Sequence, residues 1–442
     1  MVFSSLIFLY AFFSLSLAAY ALCRTQKAQN LVLLVFSLVF YAWGEPKYVL
    51  LLMFMAFVSW YCALMVNRNK RRHKQRFWVG VAAVVDIGLI GYFKYAGLFV
   101  SMFGTVPDFI RSIALPIGIS FYTFQLLTYV IDVYRKDAPA QKSYWNVLLY
   151  AALFHQCVAG PIVRYKTIDH DLFSGKPRKS EWAKGISRFC IGLAKKALLA
   201  NPCGALANTM ILSDSAIADA SKFAANLEAL TKLPVSGAWL GIVAYALHIY
   251  LDFSAYSDMA IGMGNMLGLH YLENFNYPYI SRSVTEFWRR WHMSLGTFFR
   301  DYVYIPLGGN RKGKLRKILN NLAAFLVSGL WHGVHYVLWG ALNGICVVFG
   351  SKCKTKIRLV NQLMTFAVIS LLWAFYVWPD TLLALEMMGT VFTTFNYGAF
   401  FAAVGTLGLT LGDWIVMGVA VVILWLYDWK SRSVWEGIHG MS

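Results

Sequence analysis

The chain has 442 residues, of which 59% are hydrophobic, 17% aromatic and 14% charged, with a mean hydropathy of +0.55. Soluble chains carry about 25% charged residues, so this composition excludes a soluble protein, and equally a disordered chain, a collagen-like repeat or a small disulfide-held secreted domain. Lys and Arg number 40 against 21 Asp and Glu, a net charge of +19; in a multispan helical membrane protein that excess marks basic cytoplasmic loops and not a nucleic-acid partner.

A bilayer core of about 30 Å needs roughly 20 apolar residues per helix. Stretches of that kind fall near 3–22, 30–44, 48–66, 77–100, 112–134, 144–160, 186–201, 237–268, 318–350, 359–378 and 413–428. The fold class expected is therefore an all-α polytopic membrane protein with about ten to twelve transmembrane or re-entrant helices. The first stretch has no Lys or Arg before it and its first positive charge, Arg24, after it. A cleavable signal wants the opposite order, so it reads as a retained span. Arg68, Lys70, Arg71, Arg72, Lys74 and Arg76 crowd one short loop. Placing that loop in the cytoplasm puts the N-terminus outside and Arg24 and Lys27 inside, so the two basic clusters agree. With no repeat or linker evident, residues 1–442 read as one integral domain: N-terminal spans 1–135, a catalytic core at about 144–350, and C-terminal spans 359–430.

Two segments read as amphipathic helices in the membrane plane. From Glu181 to Ala200, Lys184, Arg188, Lys195 and Lys196 gather opposite Ile186, Phe189, Leu193 and Ala197. The second opens at Ser283 with capping-box spacing to Glu286 and runs to Pro306. It carries Arg289, Arg290, His292, Arg300 and Asp301 among Trp288, Trp291, Phe298 and Phe299, a mixture unsuited to lipid on all sides.

Basic clusters Arg311–Lys317 and Lys352–Arg358 bracket one apolar region. If both are cytoplasmic, residues 320–350 must enter and return, yet at 1.5 Å per residue they give about 46 Å of helix, short of the roughly 60 Å needed to cross the core twice. A broken or re-entrant hairpin, or two short and tilted half-spans, fits better, with its midpoint near Trp331, His332, Gly333 and His335. Irregular backbone at that depth is tolerated only inside protein or along a cavity, so a site is expected there.

Of the nine histidines, His73 and His439 sit in basic or terminal surroundings, and the others fall in or near apolar stretches. Intramembrane histidines serve either structural hydrogen bonds or chemistry. His332 and His335 form H-x-x-H, which could seat a metal pair but has no third and fourth ligand nearby. A neutral imidazole acting as general base suits an apolar site better. Asp252 and Asp258 need partners, for which Arg289, Arg290 or a histidine are nearest at hand; they read as a buried structural pair or as a transporter's proton relay. The seven cysteines, Cys23, Cys62, Cys157, Cys190, Cys203, Cys346 and Cys353, are scattered and read as packing residues. The glycines of GMGNMLG miss the dinucleotide-loop spacing, and no P-loop or G-x-S-x-G elbow occurs.

The stretches SRSVTEFWRRWHMSLGTFFRDYVYIPLGGNRKG (281–313) and SGLWHGVHYVLWGALNG (328–344) together resemble the signature of membrane-bound O-acyltransferases, in the alginate O-acetyltransferase-like branch. FYAWGEPKYVLLL (40–52), PIGISFYTFQLLTYVIDVYR (116–135), VAGPIVRY (158–165), DFSAYSDMAIGMGNMLG (252–268) and ENFNYPY (273–279) extend the resemblance in the same order to about residue 345. The resemblance implies helices around a central tunnel and transfer of an acyl group, most simply acetyl, from a cytoplasmic thioester to an extracytoplasmic hydroxyl. It implies His332 and His292 as catalytic residues, and Trp331, Gly333, His335, Trp291, Arg289, Arg290, Asp252, Asp258 and Asn274 as tunnel-lining or substrate-binding positions. No bound cofactor or metal is expected. Acetyl-CoA or an acyl-carrier thioester is the donor, and the partners are a polysaccharide acceptor, an extracytoplasmic acetyltransferase- or esterase-like protein and the lipid bilayer of the cell membrane. D-alanyl transfer to teichoic acid is the alternative within the family, and a proton-coupled transporter the alternative outside it.

Overall fold

The computed structural model describes residues 2–111, 113–158, 160–174, 179–211, 234–350, 355–378 and 381–393, with isolated positions beyond 393. Among these residues every regular element is a helix and there is no strand. Five helices are long and apolar enough to cross a membrane: α2 (Gln26–Gly44), α3 (Val49–Arg68, entered through the turn Pro46–Tyr48), α4 (Arg72–Ser101), α10 (Val235–Met266) and α15 (Arg358–Val377). A sixth, α1 (Ile7–Leu22), is shorter and apolar. The protein is thus an all-α polytopic membrane protein, as its composition requires. The span expected at 413–428 lies outside the described residues, as do Lys352, Cys353 and Lys354.

Two expected spans are shorter as helices than their apolar runs. Pro116 and Gly118 delay the helix of 112–134, so that α5 covers Ile119–Arg135. It is buried on nearly every side, from Tyr122 through Val130, the behaviour of a helix apolar all round. α6 (Tyr144–Ala152) occupies only the first part of 144–160. Beyond it the Phe154 N–H donates to the Ser37 hydroxyl at 3.2 Å, and the chain runs irregularly to α7 (Tyr165–Ser174).

The chain forms two compact units, Met1–Leu193 with Tyr256–Glu273, and Ala194–Ala255 with Asn274–Ser442. In the first, Phe3, Phe8, Phe12, Phe40 and Phe154 build an aromatic core with ring centroids 5.0 to 6.3 Å apart. α8 (Lys179–Ala194, continued as a wider-wound turn Lys195–Ala200) packs there through glycine. A Cβ on Gly185 would stand 2.6 Å from the Gly262 carbonyl, and one on Gly262 2.7 Å from that of Gly185. This crossing explains the glycine run around 262. It also revises the amphipathic reading of 181–200. Phe189 is buried but Ile186 is exposed, and Arg188 lies on the packed side, where it donates to Asp258 Oδ1 at 2.9 Å and to both oxygens of Glu273.

A second polar clamp holds the turn after α10. His270 Nδ1 lies 2.9 Å from Asp171 and Nε2 3.3 Å from Glu181, while its backbone N–H donates to Asp171 at 3.1 Å. Carboxylates can only accept, so satisfying both contacts requires an imidazolium. The hydrogen bond to Asp171 accordingly raises the His270 pKa above its ordinary value, against a smaller effect of burial.

In the second unit α9 (Asn201–Ile211), the part of α10 up to Ala255, α15 and α16 (Thr381–Thr393) share one apolar core around Met210, Ile242, Trp373, Val377 and Met387. Residues 281–306 differ from the single helix expected. The N-cap half of the capping box forms, with Ser283 Oγ accepting from the Glu286 N–H at 3.2 Å, while the Glu286 carboxylate accepts from the N–H of Arg282, the residue before the cap, at 3.0 Å. But α11 (Val284–Arg290) ends after two turns, His292 takes a left-handed conformation (φ 44°, ψ 55°), and a new helix, α12 (Met293–Phe299), follows.

Residues 313–349 form the broken hairpin expected. α13 (Gly313–His332) stops at Gly333, a turn of 3-10 helix spans Val334–Tyr336, and α14 (Val337–Phe349) returns. Gly333 has φ 149° and ψ 162°, a conformation that a side chain would strain. The two arms meet backbone to backbone: a Cβ on Gly340 would run into the Phe325 carbonyl, and one on Gly329 into that of Tyr336.

Gly340→Val should therefore cost about 1–3 kcal/mol by overpacking, read as a lower Tm in detergent, whereas Gly350→Ala, facing open space, should leave Tm unchanged. The His270 clamp gives a pH signature. Because its proton is held more tightly in the folded state than at the ordinary pKa of about 6.5, its stabilisation is complete below that pH and lost as pH rises through the raised value. His270→Gln should lower Tm at pH 5.5 and match the parent at pH 9. With His270 half exposed, the effect should be on the order of 1 kcal/mol or less.

Candidate functional site

The second unit brings both signature histidines to helix breaks. His332 ends α13 immediately before Gly333, and His292 is the residue between α11 and α12. Each imidazole thus leaves a helix where the backbone turns away. His292 is buried, and burial pushes its pKa down to about 3, with the charge of His332 acting in the same direction. Burial thus keeps His292 neutral through the physiological range.

Aromatic side chains connect them. His332 lies edge-on to Trp339 and Tyr376, with ring centroids 5.8 and 5.7 Å away, and Tyr336 lies 4.7 Å from Tyr376. From Trp339 the wall continues through Trp373 and Trp291, 5.0 Å apart, to Phe275 and Phe253, and Phe253 lies edge-on to His292 at 4.7 Å. The polar edges of this wall are used within it. Trp288 Nε1 donates to Asn343 at 3.1 Å, and Trp373 Nε1 donates to the Tyr279 hydroxyl at 3.2 Å, which donates in turn to the Ala246 carbonyl. Such an enclosure lowers the local dielectric around the imidazoles and fixes their orientation.

Asn274 attaches to His292. Its Oδ1 lies 2.9 Å from His292 Nδ1 and accepts from the Ser294 hydroxyl at 2.9 Å, while its backbone carbonyl accepts from the Met293 N–H at 2.8 Å. Those bonds tie the loop 274–277 to the break between α11 and α12, a tie reinforced by the Asn276 N–H donating to the Arg290 carbonyl at 2.9 Å.

The remaining expected positions divide. Trp291 is buried in the aromatic wall. Trp331 and Gly333 flank His332 and are half-buried, whereas His335 is exposed in the turn beyond the break. Arg290 pairs with Glu286 at 3.0 Å and Arg289 is exposed. Neither arginine supplies the partner expected for the aspartates. Asp252 pairs with Lys196 and Asp258 with Arg188, cations of the segment 181–200 that had read as the polar side of an in-plane amphipathic helix. Sequence reading did not single out Ser294, Phe253, Tyr336, Trp339, Trp373 or Tyr376. Ser294, two residues beyond His292, and Tyr336 and Trp339, four and seven beyond His332, had a local signal; Phe253, Trp373 and Tyr376 join the site through long-range packing.

The sequence profile of the membrane-bound O-acyltransferase family matches residues 9–394. The chain is 37% identical over 409 residues to a Pseudomonas aeruginosa protein named a probable alginate O-acetylase, covering 89% of this chain and 75% of that one. It is 29% identical over 423 residues to a Helicobacter pylori peptidoglycan O-acetyltransferase, covering 85% and 77%. Similarity to a Bacillus subtilis teichoic acid D-alanyltransferase is 27% over 282 residues, covering 59% and 66%.

Proposed function

Because the chain belongs to the membrane-bound O-acyltransferase family, and is thereby an acyltransferase, we propose that it carries an acetyl group from a cytoplasmic thioester to a hydroxyl of an extracytoplasmic polysaccharide, with His332 as general base. The observation that carries this reading is the placement of two histidines at two helix breaks, each edge-on to one continuous aromatic wall. That arrangement suits proton transfer in apolar surroundings.

In the proposed reaction the acceptor hydroxyl gives its proton to neutral His332 as its oxygen attacks the thioester carbonyl carbon. The tetrahedral intermediate collapses by breaking the C–S bond. The departing thiolate takes the proton from the imidazolium, leaving an ester, a free thiol and neutral His332. A positioned base of this kind contributes about 10²–10⁴-fold. His292 orients the acceptor. Acetyl-CoA is the donor favoured, since the basic segments around 68–76 and 311–317 would face the cytoplasm and attract its phosphates. The same charge rule places the N-terminus outside a cell membrane. An exported polysaccharide reached through an extracytoplasmic partner protein is the acceptor.

Acetyl is favoured over D-alanyl because the relatives named for O-acetylation match 85–89% of the chain, against 59% for the D-alanyltransferase. Membranes containing the protein, given labelled acetyl-CoA or labelled D-alanyl carrier protein, should transfer only the acetyl label to alkali-labile ester. Transfer of the D-alanyl label alone would reassign the donor, and flux of a solute without either transfer would favour a transporter.

A further inference from the structure

The contacts around His292 determine more than its position. The atom of Asn274 that faces His292 also lies 3.4 Å from the backbone N–H of Ser294. A backbone N–H can only donate, so that atom is the amide oxygen and not the amide nitrogen. The Ser294 hydroxyl donates to it as well. An oxygen cannot donate in return, so a favourable contact at 2.9 Å requires the proton of His292 to sit on Nδ1. Nε2 then carries the lone pair, and it makes no hydrogen bond among the described residues.

We infer that Asn274 is a positioning residue that holds His292 as the Nδ1–H tautomer, making its Nε2 a pure acceptor that binds and aligns the attacking hydroxyl. This rests on the acyltransferase reading and divides two roles that the reading leaves together. A ring with Nε2 unprotonated can accept from a hydroxyl, but it cannot donate to an oxyanion. The charge developing on the thioester oxygen must be met by another donor. The nearby Arg290 is engaged by Glu286 at 3.0 Å. The left-handed backbone at His292 fits the same picture. It is held by the Met293 N–H to Asn274 carbonyl bond, so one residue sets both the ring's tautomer and the turn that aims it.

Two variants separate positioning from packing. Asn274→Asp keeps an acceptor at Nδ1 but adds a charge that stabilises the imidazolium; Asn274→Ala removes the acceptor. Histidine C2–H deuterium exchange, followed by mass spectrometry of the full-length protein in membranes, titrates His292 without reference to activity. In Asn274→Asp its midpoint should rise by about one pH unit or more above the parent. Transfer from labelled acetyl-CoA should fall about tenfold or more in Asn274→Ala at every pH from about 6 to about 9. Asn274→Asp, which keeps an acceptor at Nδ1 and whose raised midpoint still leaves Nε2 free of its proton across that range, should stay within about threefold of the parent throughout. An unmoved His292 midpoint in Asn274→Asp, or equal impairment of both variants at all pH values, would overturn the inference. The parent protein offers a check independent of folding in the variants: the nitrogen-15 signals of His292 should show Nδ1 protonated and Nε2 unprotonated, and the reverse pattern overturns the assignment. Absence of acetyl transfer in the parent would instead remove the acyltransferase reading, leaving the tautomer to be decided by these signals.

Discussion

The glycine contacts between the two arms of the 313–349 hairpin are the constraint on which the second unit depends. Gly340 lies against the Phe325 carbonyl and Gly329 against that of Tyr336, a closeness that no residue with a side chain permits. Small residues at a crossing let helices pack by van der Waals contact where lipid supplies no hydrophobic drive. Because the arms meet so closely next to the turn, the reversal must be made in a few residues, and Gly333 makes it. His332, immediately before that turn, is thereby set at the end of a helix. Trp339, in the first turn of the returning helix, lies edge-on to its ring. The position of the proposed base is thus a consequence of backbone packing.

His292 reaches the aromatic enclosure differently. No glycine makes its turn; a histidine adopts a conformation that costs a non-glycine residue about 1 kcal/mol or more. The bonds from Asn274 and the burial of neighbouring aromatic rings offset that cost. Polar groups in so apolar a chain are expensive unless they are paired within the protein. Their arrangement here follows that rule at several levels: the Arg188, Asp258 and Glu273 cluster and the His270 clamp in one unit, and Asn274 with Ser294 and His292 in the other. The first two hold elements together. The third also leaves a ring nitrogen available for chemistry.

What could be read from the sequence was what depends on near neighbours. Hydropathy located α2, α3, α4, α10 and α15, and the Ser283–Glu286 spacing marked the start of α11. The length between two basic clusters, with Gly333 at the centre, was enough to require a broken hairpin. The interruption at His292 was not legible, because W-H-M contains no helix breaker and the residue that stabilises the turn lies 18 positions upstream. For the same reason the partners of the aspartates were misjudged. Arg289, Arg290 or a histidine were the partners nearest in the chain, whereas Arg188 reaches Asp258 across 70 residues of chain. The face of 181–200 that packs was set by Gly185 and Phe189, and a periodic pattern of charges does not register a glycine contact.

The account depends most on His332 acting as the base, and the direct test is the rate of acyl transfer in His332→Ala with insertion measured in the same membranes. A variant that inserts and unfolds like the parent should lose about 10²-fold or more of its transfer from labelled acetyl-CoA. Parental transfer by well-inserted His332→Ala would contradict the account.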